Sequence, residues 1–231
     1  MNFVVGDIHN DGRRFKELLK EINPGPNDTV FLLGDFFDRC SYDPYPLGVY
    51  YTVLELGDRC RAVSGNHDRW LAEYIQKYYS ASEKERLRMQ PYYYNSFDIL
   101  RRRLPQADML NLSEWIMRLP LQIEYESGSS RFLFAHAMTS FPEDAKDDDY
   151  YLMGYGPEEF YESGIDGYIS FCGHNDTGYF ARYKGRYLGR RLESIWVNAK
   201  KNVYMLDCGC GYSKGQLACL CIETGEEFYI S

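Results

Sequence analysis

The stretch NFVVGDIHN, residues 2–10, contains the pattern that decides the fold. Its opening run NFVV is typical of a short buried strand, and GDIHN follows it as a polar loop. Apolar residues between Phe15 and Ile22 then recur at positions i, i+3, i+4 and i+7, which predicts an amphipathic helix over residues 11–22. A strand, a polar loop and a helix in this order form the first unit of an α/β domain.

Two further units follow the same plan. TVFLL, residues 29–33, predicts a second strand that ends in the loop GDFFDR, and residues 47–57 predict a second helix. RAVS, residues 61–64, predicts a third strand, which ends in GNHD. A βαβαβ series of this kind is expected to form a parallel sheet with right-handed crossovers. Each polar loop then lies at the carboxyl end of a strand, where open α/β sheets place their ligand sites.

The rest of the chain departs from this rhythm. Residues 70–120 are charged and aromatic without a strand candidate, and we interpret them as a helical insertion or cap within a single domain spanning residues 1–231. Strands return as a hairpin around GSS and as the run GYISFCGH, and the C-terminal segment is expected to form antiparallel strands. The acidic stretch 141–150 is expected to be a loop.

Composition excludes several classes of protein. The net charge of −8 weighs against general nucleic-acid binding, because an acidic surface repels phosphate backbones. The chain lacks the run of about 20 apolar residues that a membrane span needs, and its N-terminus lacks a signal-peptide pattern, so we expect a cytoplasmic protein. The seven cysteines include two C-x-C pairs, which we interpret as buried strand thiols rather than zinc ligands. Oligomeric state does not follow from the sequence.

All four histidines follow strand candidates and lie in short polar motifs: GDIHN, GNHD, FAHA and CGHN. With the nearby Asp and Asn side chains they offer oxygen and nitrogen donors without thiolate, which suits Mn²⁺, Fe or Zn²⁺. The donors are too many for one four-coordinate ion and suit two ions that share a carboxylate, an arrangement used for phosphoester hydrolysis. The candidate ligands are Asp7, His9, Asp35, Asn66, His136 and His174.

The ordered motifs GDIHN, GDFFDR, GNHD, the later lone histidine and GHN resemble the calcineurin-like metallophosphoesterases. The form GDFFDR is similar to the phosphoprotein phosphatase branch, which holds bacterial and phage serine/threonine phosphatases and is related to the symmetrical diadenosine tetraphosphate hydrolases. The resemblance covers residues 1–69 and about 131–231, outside the insertion. It implies an α/β fold, an αββα sandwich of two mixed sheets flanked by helices.

The resemblance also implies a role for each matching residue. Asp7 and His9 match the ligands of a first metal ion, Asp35 matches the ligand that bridges both ions, and Asn66, His136 and His174 match the ligands of a second. Manganese is the expected ion, with iron or zinc as alternatives. The implied catalytic residues are His67 as the acid for the leaving oxygen, Asp38 as its orienting carboxylate and Arg39 as the phosphate-binding group.

The motifs depart from the family at several positions. Asn10 stands where the family usually has Gly, Ser64 where the branch commonly has Arg, and Asp68 where the phosphoprotein phosphatases have Glu. The second phosphate-binding arginine of the branch has no clear counterpart, and Arg69 and Arg182 are its candidates. These departures leave the expected metal chemistry intact and bear on the substrate.

Three functions are compatible with these residues. The first is hydrolysis of phosphomonoesters, with phosphoserine and phosphothreonine proteins as the expected partners and small phosphorylated molecules as others. The alternative is hydrolysis of dinucleoside polyphosphates or nucleotides, in which tyrosines 92–94 either stack on a base or only pack within the insertion. A non-catalytic protein-binding scaffold is disfavoured, because all the candidate ligands, Arg39 and His67 are retained.

Overall fold

A computed structural model describes residues 1–231 and contains a five-stranded and a six-stranded β-sheet. The strands are β1 Asn2–Val5, β2 Thr29–Leu32, β3 Cys60–Ala62, β4 Gln122–Ser127, β5 Ser130–Ala135, β6 Ile169–Cys172, β7 Gly185–Tyr187, β8 Trp196–Asn198, β9 Val203–Met205, β10 Leu217–Cys221 and β11 Glu227–Ile230. The helices are α1 Gly12–Ile22, α2 Pro46–Leu56, α3 Asn66–Ser80, α4 Glu83–Arg86, α5 Ser96–Arg101, α6 Gln106–Arg118, α7 Asp148–Met153 and α8 Glu158–Ser163. Short 3₁₀ turns cover Gly57–Arg59 and Thr177–Arg182.

The first sheet has the strand order β11-β10-β1-β2-β3. Strands β1, β2 and β3 are parallel, with Val4 opposite Phe31 and Phe31 opposite Arg61, as the βαβαβ pattern predicts. Strands β10 and β11 are antiparallel neighbours that close the other edge against β1. The sheet is therefore mixed, and its parallel part brings the ends of β1, β2 and β3 to one edge.

The second sheet has the order β4-β5-β6-β9-β8-β7. The β4–β5 hairpin is antiparallel as predicted, and β5, β6 and β9 run parallel. The expected antiparallel C-terminal unit is only partly correct, because β9 and β10 belong to different sheets and the chain crosses between the sheets after β9. Strands β7 and β8 are absent from the sequence prediction, since each has only three residues and, unlike the equally short β3, is followed by no polar motif that marks its end.

The two sheets pack face to face and helices cover their outer faces. Between the sheets, Phe31 of β2 stacks on Phe134 of β5 with ring centroids 4.1 Å apart and planes 4° apart. Helices α1, α2, α3, α5 and α6 cover the first sheet, and α8 with the turn Thr177–Arg182 covers the second. The architecture is the α/β sandwich of two mixed sheets that the resemblance implies.

The segment 70–120 is helical and contains no strand, as predicted. Helix α3 begins at Asn66, so the GNHD motif forms its first turn instead of a free loop. The acidic stretch differs from its predicted loop, because α7 begins at Asp148 and the Asp147 carboxylate caps it by accepting a 3.0 Å hydrogen bond from Tyr150 N. None of the helices has the length and apolar character needed to cross a membrane.

The stacked pair between the sheets gives a test of this packing. Phe31→Ala should lower the free energy of unfolding by about 3–5 kcal/mol, because it empties a fully buried site that cannot collapse onto rigid strands. Phe141→Ala is the matched control, since that ring is 42% exposed, and it should cost about 1 kcal/mol or less. Urea unfolding followed by circular dichroism measures both, and equal losses would contradict the sandwich core.

Candidate metal centre

The candidate ligands come together at the carboxyl ends of parallel strands in both sheets. Strand β1 ends before Asp7 and His9, β2 before Asp35, and β3 before Asn66. His136 and His174 follow β5 and β6 in the second sheet. Parallel strands present their carboxyl ends at the same edge, which is why residues so far apart in sequence meet here.

Asp35 lies at the centre of this cluster. Its Oδ2 is 3.6 Å from His9 Nε2, and its Oδ1 is 3.4 Å from His136 Nε2. The donor atoms form two groups, each with all atoms within 4.8 Å of one another, and Asp35 belongs to both. The first group contains Asp7, His9 and Asp35, and the second contains Asp35, His136 and His174.

Asn66 and the histidine rings complete the second group. Asn66 Oδ1 lies 3.0 Å from His136 Nε2 and 3.1 Å from His174 Nδ1. His136 Nδ1 donates to Leu33 O over 2.8 Å, and His9 Nδ1 lies 3.2 Å from a backbone carbonyl oxygen, so each ring turns Nε2 toward the cluster. A backbone partner that fixes the second ring nitrogen is characteristic of metal-binding histidines.

The cluster concentrates buried negative charge. Burial and the neighbouring Asp207 carboxylate raise the pKa of Asp7 well above its usual range. Burial would also raise the pKa of Asp35, but the neighbouring imidazoles, His136 first, outweigh it and hold that pKa well below the usual range. Burial lowers the pKa of His9 and of His174 to about 3, which leaves both rings neutral. Burial would also lower the pKa of His136, but the neighbouring Asp35 carboxylate outweighs it and raises that pKa to about 10, so His136 would release a proton on binding a cation. Carboxylates, imidazoles and an amide oxygen fit divalent cations, whose charge would offset the buried acids.

His67, Asp38 and Arg39 lie beside the donor groups. His67 Nδ1 is 3.2 Å from Asp38 Oδ2, and both side chains are buried. Arg39 Nη1 lies 3.1 Å from His9 Nε2, and its guanidinium carbon is 5.3 Å from the centre of the Tyr212 ring. The His67 imidazole with its carboxylate partner Asp38, and the guanidinium of Arg39, therefore lie beside the same cluster.

The loops that carry these residues have unusual backbone angles. Asn10 has φ 62°, in the left-handed region that Gly or Asn adopts most readily, which explains why Asn can stand where the family usually has Gly. Left-handed residues outside glycine are concentrated at functional sites because they carry strain. Apart from Asn23 and Lys201, every such residue here lies in these loops: His9, Asn10, Asp35, Asp38, Arg39, Cys40 and His174.

Asp68 joins two of the loops. Its Oδ1 accepts a 2.8 Å hydrogen bond from Phe36 N, and its Oδ2 accepts a 3.0 Å hydrogen bond from Gly65 N. The side chain belongs to neither donor group and crosslinks the loops after β2 and β3. Gly65 is required for the same close approach, since a Cβ there would collide with Asp35. The substitution of Asp for Glu thus keeps a carboxylate that holds the site together.

The helical segment supplies contacts that the motifs do not predict. Tyr92 Oη donates a 2.6 Å hydrogen bond to Asp38 Oδ2, the same oxygen that faces His67. Ser96 Oγ accepts from Asp38 N over 2.6 Å, and Asn95 Nδ2 donates to the carbonyl oxygen of Arg39 over 2.6 Å. Of the tyrosines 92–94, Tyr92 thus has a hydrogen-bonding role within the fold, and the only advance signal was the tyrosine run itself.

Aromatic side chains surround the cluster. The rings of Trp70 and Tyr94 lie 5.1 Å and 4.4 Å from the His67 ring, and Tyr155 lies 6.2 Å from the His174 ring.

The arginines 69 and 182 do not reach the donor groups. The first donates to Met117 Sδ, and the second donates to the hydroxyl groups of tyrosines 179 and 183. All seven cysteines are free. Cys219 and Cys221 are buried thiols of strand β10 as predicted, whereas Cys208 and Cys210 are buried but lie in the loop between β9 and β10, so for this pair the predicted strand is wrong.

Comparison with known proteins identifies the family. A family model described as "calcineurin-like phosphoesterase" matches residues 3–204. The chain therefore belongs to this family of metallophosphoesterases, which are hydrolases. The symmetrical bis(5'-nucleosyl)-tetraphosphatase of Proteus mirabilis (strain HI4320) is 31% identical over 137 residues, which is 58% of this chain and 43% of that protein. The chain thus spans less than half the length of the curated relatives it matches.

Solved structures share the fold. A candidate diadenosine tetraphosphatase superposes with a TM-score of 0.65 at 18% identity, covering 99% of this chain and 92% of that chain. A protein serine/threonine phosphatase from Saccharomyces cerevisiae superposes with a TM-score of 0.56 at 14% identity, covering 100% of this chain and 80% of that chain. At these identities the likeness concerns the fold alone.

The contact between Tyr92 and Asp38 predicts a measurable stability difference. Tyr92→Phe should lower the free energy of unfolding by about 1.5–3 kcal/mol, because a buried carboxylate loses a hydrogen bond and its other oxygen has no partner. Tyr93→Phe is the matched control, since that side chain is 87% exposed, and it should change stability by less than about 0.5 kcal/mol. Urea unfolding of both variants checks this, and a similar small effect in both would contradict the contact.

Proposed function

We propose that this chain is a two-metal phosphohydrolase that cleaves dinucleoside polyphosphates. The observation that carries the proposal is the position of Asp35, whose two oxygens face separate groups of carboxylate and imidazole donors. In this proposal Asp7, His9 and Asp35 hold one divalent cation, and Asp35 with Asn66, His136 and His174 holds the other. Manganese, iron and zinc all accept this ligand set.

Cations held there would neutralise the phosphate and activate water for attack on phosphorus. Arg39 approaches the same cluster and can hold two phosphate oxygens through its planar guanidinium. His67, oriented by Asp38, donates a proton to the phosphate oxygen that leaves phosphorus, which reduces the negative charge that develops on the departing nucleotide. The bond between phosphorus and that oxygen breaks as a bond to the water oxygen forms.

Two observations favour dinucleoside polyphosphates over phosphoproteins as the substrate class. The curated relatives carry the name of symmetrical bis(5'-nucleosyl)-tetraphosphatases, whereas the likeness to a protein serine/threonine phosphatase rests on fold alone. Aromatic rings flank the donor groups at His67 and His174, and aromatic faces bind nucleobases. Hydrolysis of phosphoserine and phosphothreonine proteins stays a prediction from sequence, and the substrate comparison below tests it.

Loss of the shared carboxylate should remove both cations together. We expect Asp35→Asn to bind fewer than two Mn²⁺ ions per chain, because the amide keeps the shape of the side chain and loses its charge. We also expect kcat to fall by about 100-fold or more. Elemental analysis and steady-state kinetics measure the two effects. Asp58→Asn is the control, an exposed position at the far end of β3. Two bound ions with near-normal turnover in Asp35→Asn would refute the bridging role.

The substrate class is tested with metal-stripped protein restored with Mn²⁺. Diadenosine tetraphosphate, a phosphothreonine peptide and p-nitrophenyl phosphate are compared by kcat/KM. We expect the dinucleotide to give the highest value and to yield two molecules of ADP. A higher value for the peptide would reverse the substrate assignment, and no turnover of any of the three with Mn²⁺, Fe²⁺ or Zn²⁺ would support a non-catalytic role.

A further inference from the structure

We infer that Trp70 and Tyr94 form a stacking site for one nucleobase of the substrate, next to the leaving-group side of the metal centre. The two rings are parallel to within 2°, with centroids 6.0 Å apart. Both side chains remain partly exposed to solvent, although they adjoin a fully buried histidine. This inference deepens the proposed function and depends on it for the identity of the substrate.

The position of the pair suits a base and not a phosphate. Both rings contact His67, with centroid distances of 5.1 Å for Trp70 and 4.4 Å for Tyr94. They therefore lie one side chain away from the donor groups. A ribose and one or two phosphates separate a base from a bond within the phosphate chain, so the base must bind beside the donor groups. An aromatic platform at that place offers the π-face that every base can stack on.

The sequence around the pair supports an open platform instead of a closed core. Tyr93 is 87% exposed and its ring meets that of Tyr94 edge to face at 4.8 Å, so aromatic surface continues from the pair into solvent. Tyr92 donates its hydroxyl hydrogen to Asp38, which ties this segment to the loop after β2. The three adjacent tyrosines thus have different environments, and only the last of them lies beside His67.

A different role for the two rings is to cover His67 and keep water from it. The two roles predict different results. If the rings only cover His67, their removal should lower kcat/KM for every substrate whose leaving oxygen takes the proton. If they bind a base, their removal should lower kcat/KM only for substrates that have a base. Inorganic tetraphosphate has a chain of four phosphates, as diadenosine tetraphosphate has, and lacks both nucleosides, so it separates the two.

The variants Trp70→Ala and Tyr94→Ala are therefore compared with wild type on both substrates. We expect kcat/KM for diadenosine tetraphosphate to fall about 5- to 150-fold further than kcat/KM for inorganic tetraphosphate, mainly through KM. Trp70→Phe keeps an aromatic face and should recover most of the difference. Tyr51→Ala, an exposed tyrosine of α2, is the control. Equal losses on both substrates in both alanine variants would show that the rings only cover His67 and would overturn the inference.

Tryptophan fluorescence gives a second readout that needs no turnover. The chain has three tryptophans, of which Trp196 is buried and Trp115 packs against the helical core. ADP with Mn²⁺ should change the emission of wild type, and the change should be lost in Trp70→Phe. Pyrophosphate with Mn²⁺ should have little effect. An equal change with pyrophosphate, or an undiminished change in Trp70→Phe, would overturn the base site.

The two proposals fail in distinguishable ways. If wild type hydrolyses neither tetraphosphate substrate but ADP alters the Trp70 emission, the proposed reaction is wrong and the base site stands. If wild type hydrolyses diadenosine tetraphosphate and the alanine variants lose kcat/KM equally on both substrates, the proposed reaction stands and the base site is wrong.

Discussion

The buried residue Asp35 is the point on which the arrangement of the site depends. Its backbone carbonyl accepts hydrogen bonds from Ile8 N at 3.1 Å and His9 N at 2.9 Å, which fixes the loop after β1. Its Oδ1 accepts from His67 N at 3.0 Å, which fixes the start of α3, and the same oxygen faces His136 in the second sheet. A buried carboxylate is costly unless it is paired, so the loops around it must hold their donors in place. Left-handed backbone and a glycine at the closest approach are the local consequences.

Those parts of the fold and site that depend on short sequence patterns could be predicted. Strands β1 and β2, helices α1 and α2 and the gathering of the candidate ligands all follow from apolar runs that end in polar motifs, because parallel strands bring such motifs to one edge. Strands β7 and β8 were missed, since each has only three residues and, unlike the equally short β3, leads into no polar motif. The separation of β9 from β10 was missed too, because it depends on packing between sheets and not on local preference.

The contacts from the helical segment could not be predicted for a different reason. Tyr92 and Asp38 are separated by 54 positions, and Ser96 and Asp38 by 58. Nothing in either motif predicts such a pairing, and none of the motifs that identify the family lies within the segment 70–120. Yet these hydrogen bonds hold the carboxylate that faces His67. We therefore regard residues 92–96 as part of the construction of the site, and the segment as more than an appended cover.

The distribution of charge bears on how the site would recognise its substrate. The chain carries a net charge of −8, and the 37 residues between His136 and His174 include no arginine. Arg39 is the arginine that meets the donor groups, while Arg69 and Arg182 contact other side chains. Neutralisation of a polyphosphate would thus fall to the cations and to Arg39. In the proposed function, surfaces that do not depend on charge would add to the affinity for the rest of the substrate. Partly exposed aromatic rings beside His67 are such a surface, and in the proposed function they would receive a base of the substrate.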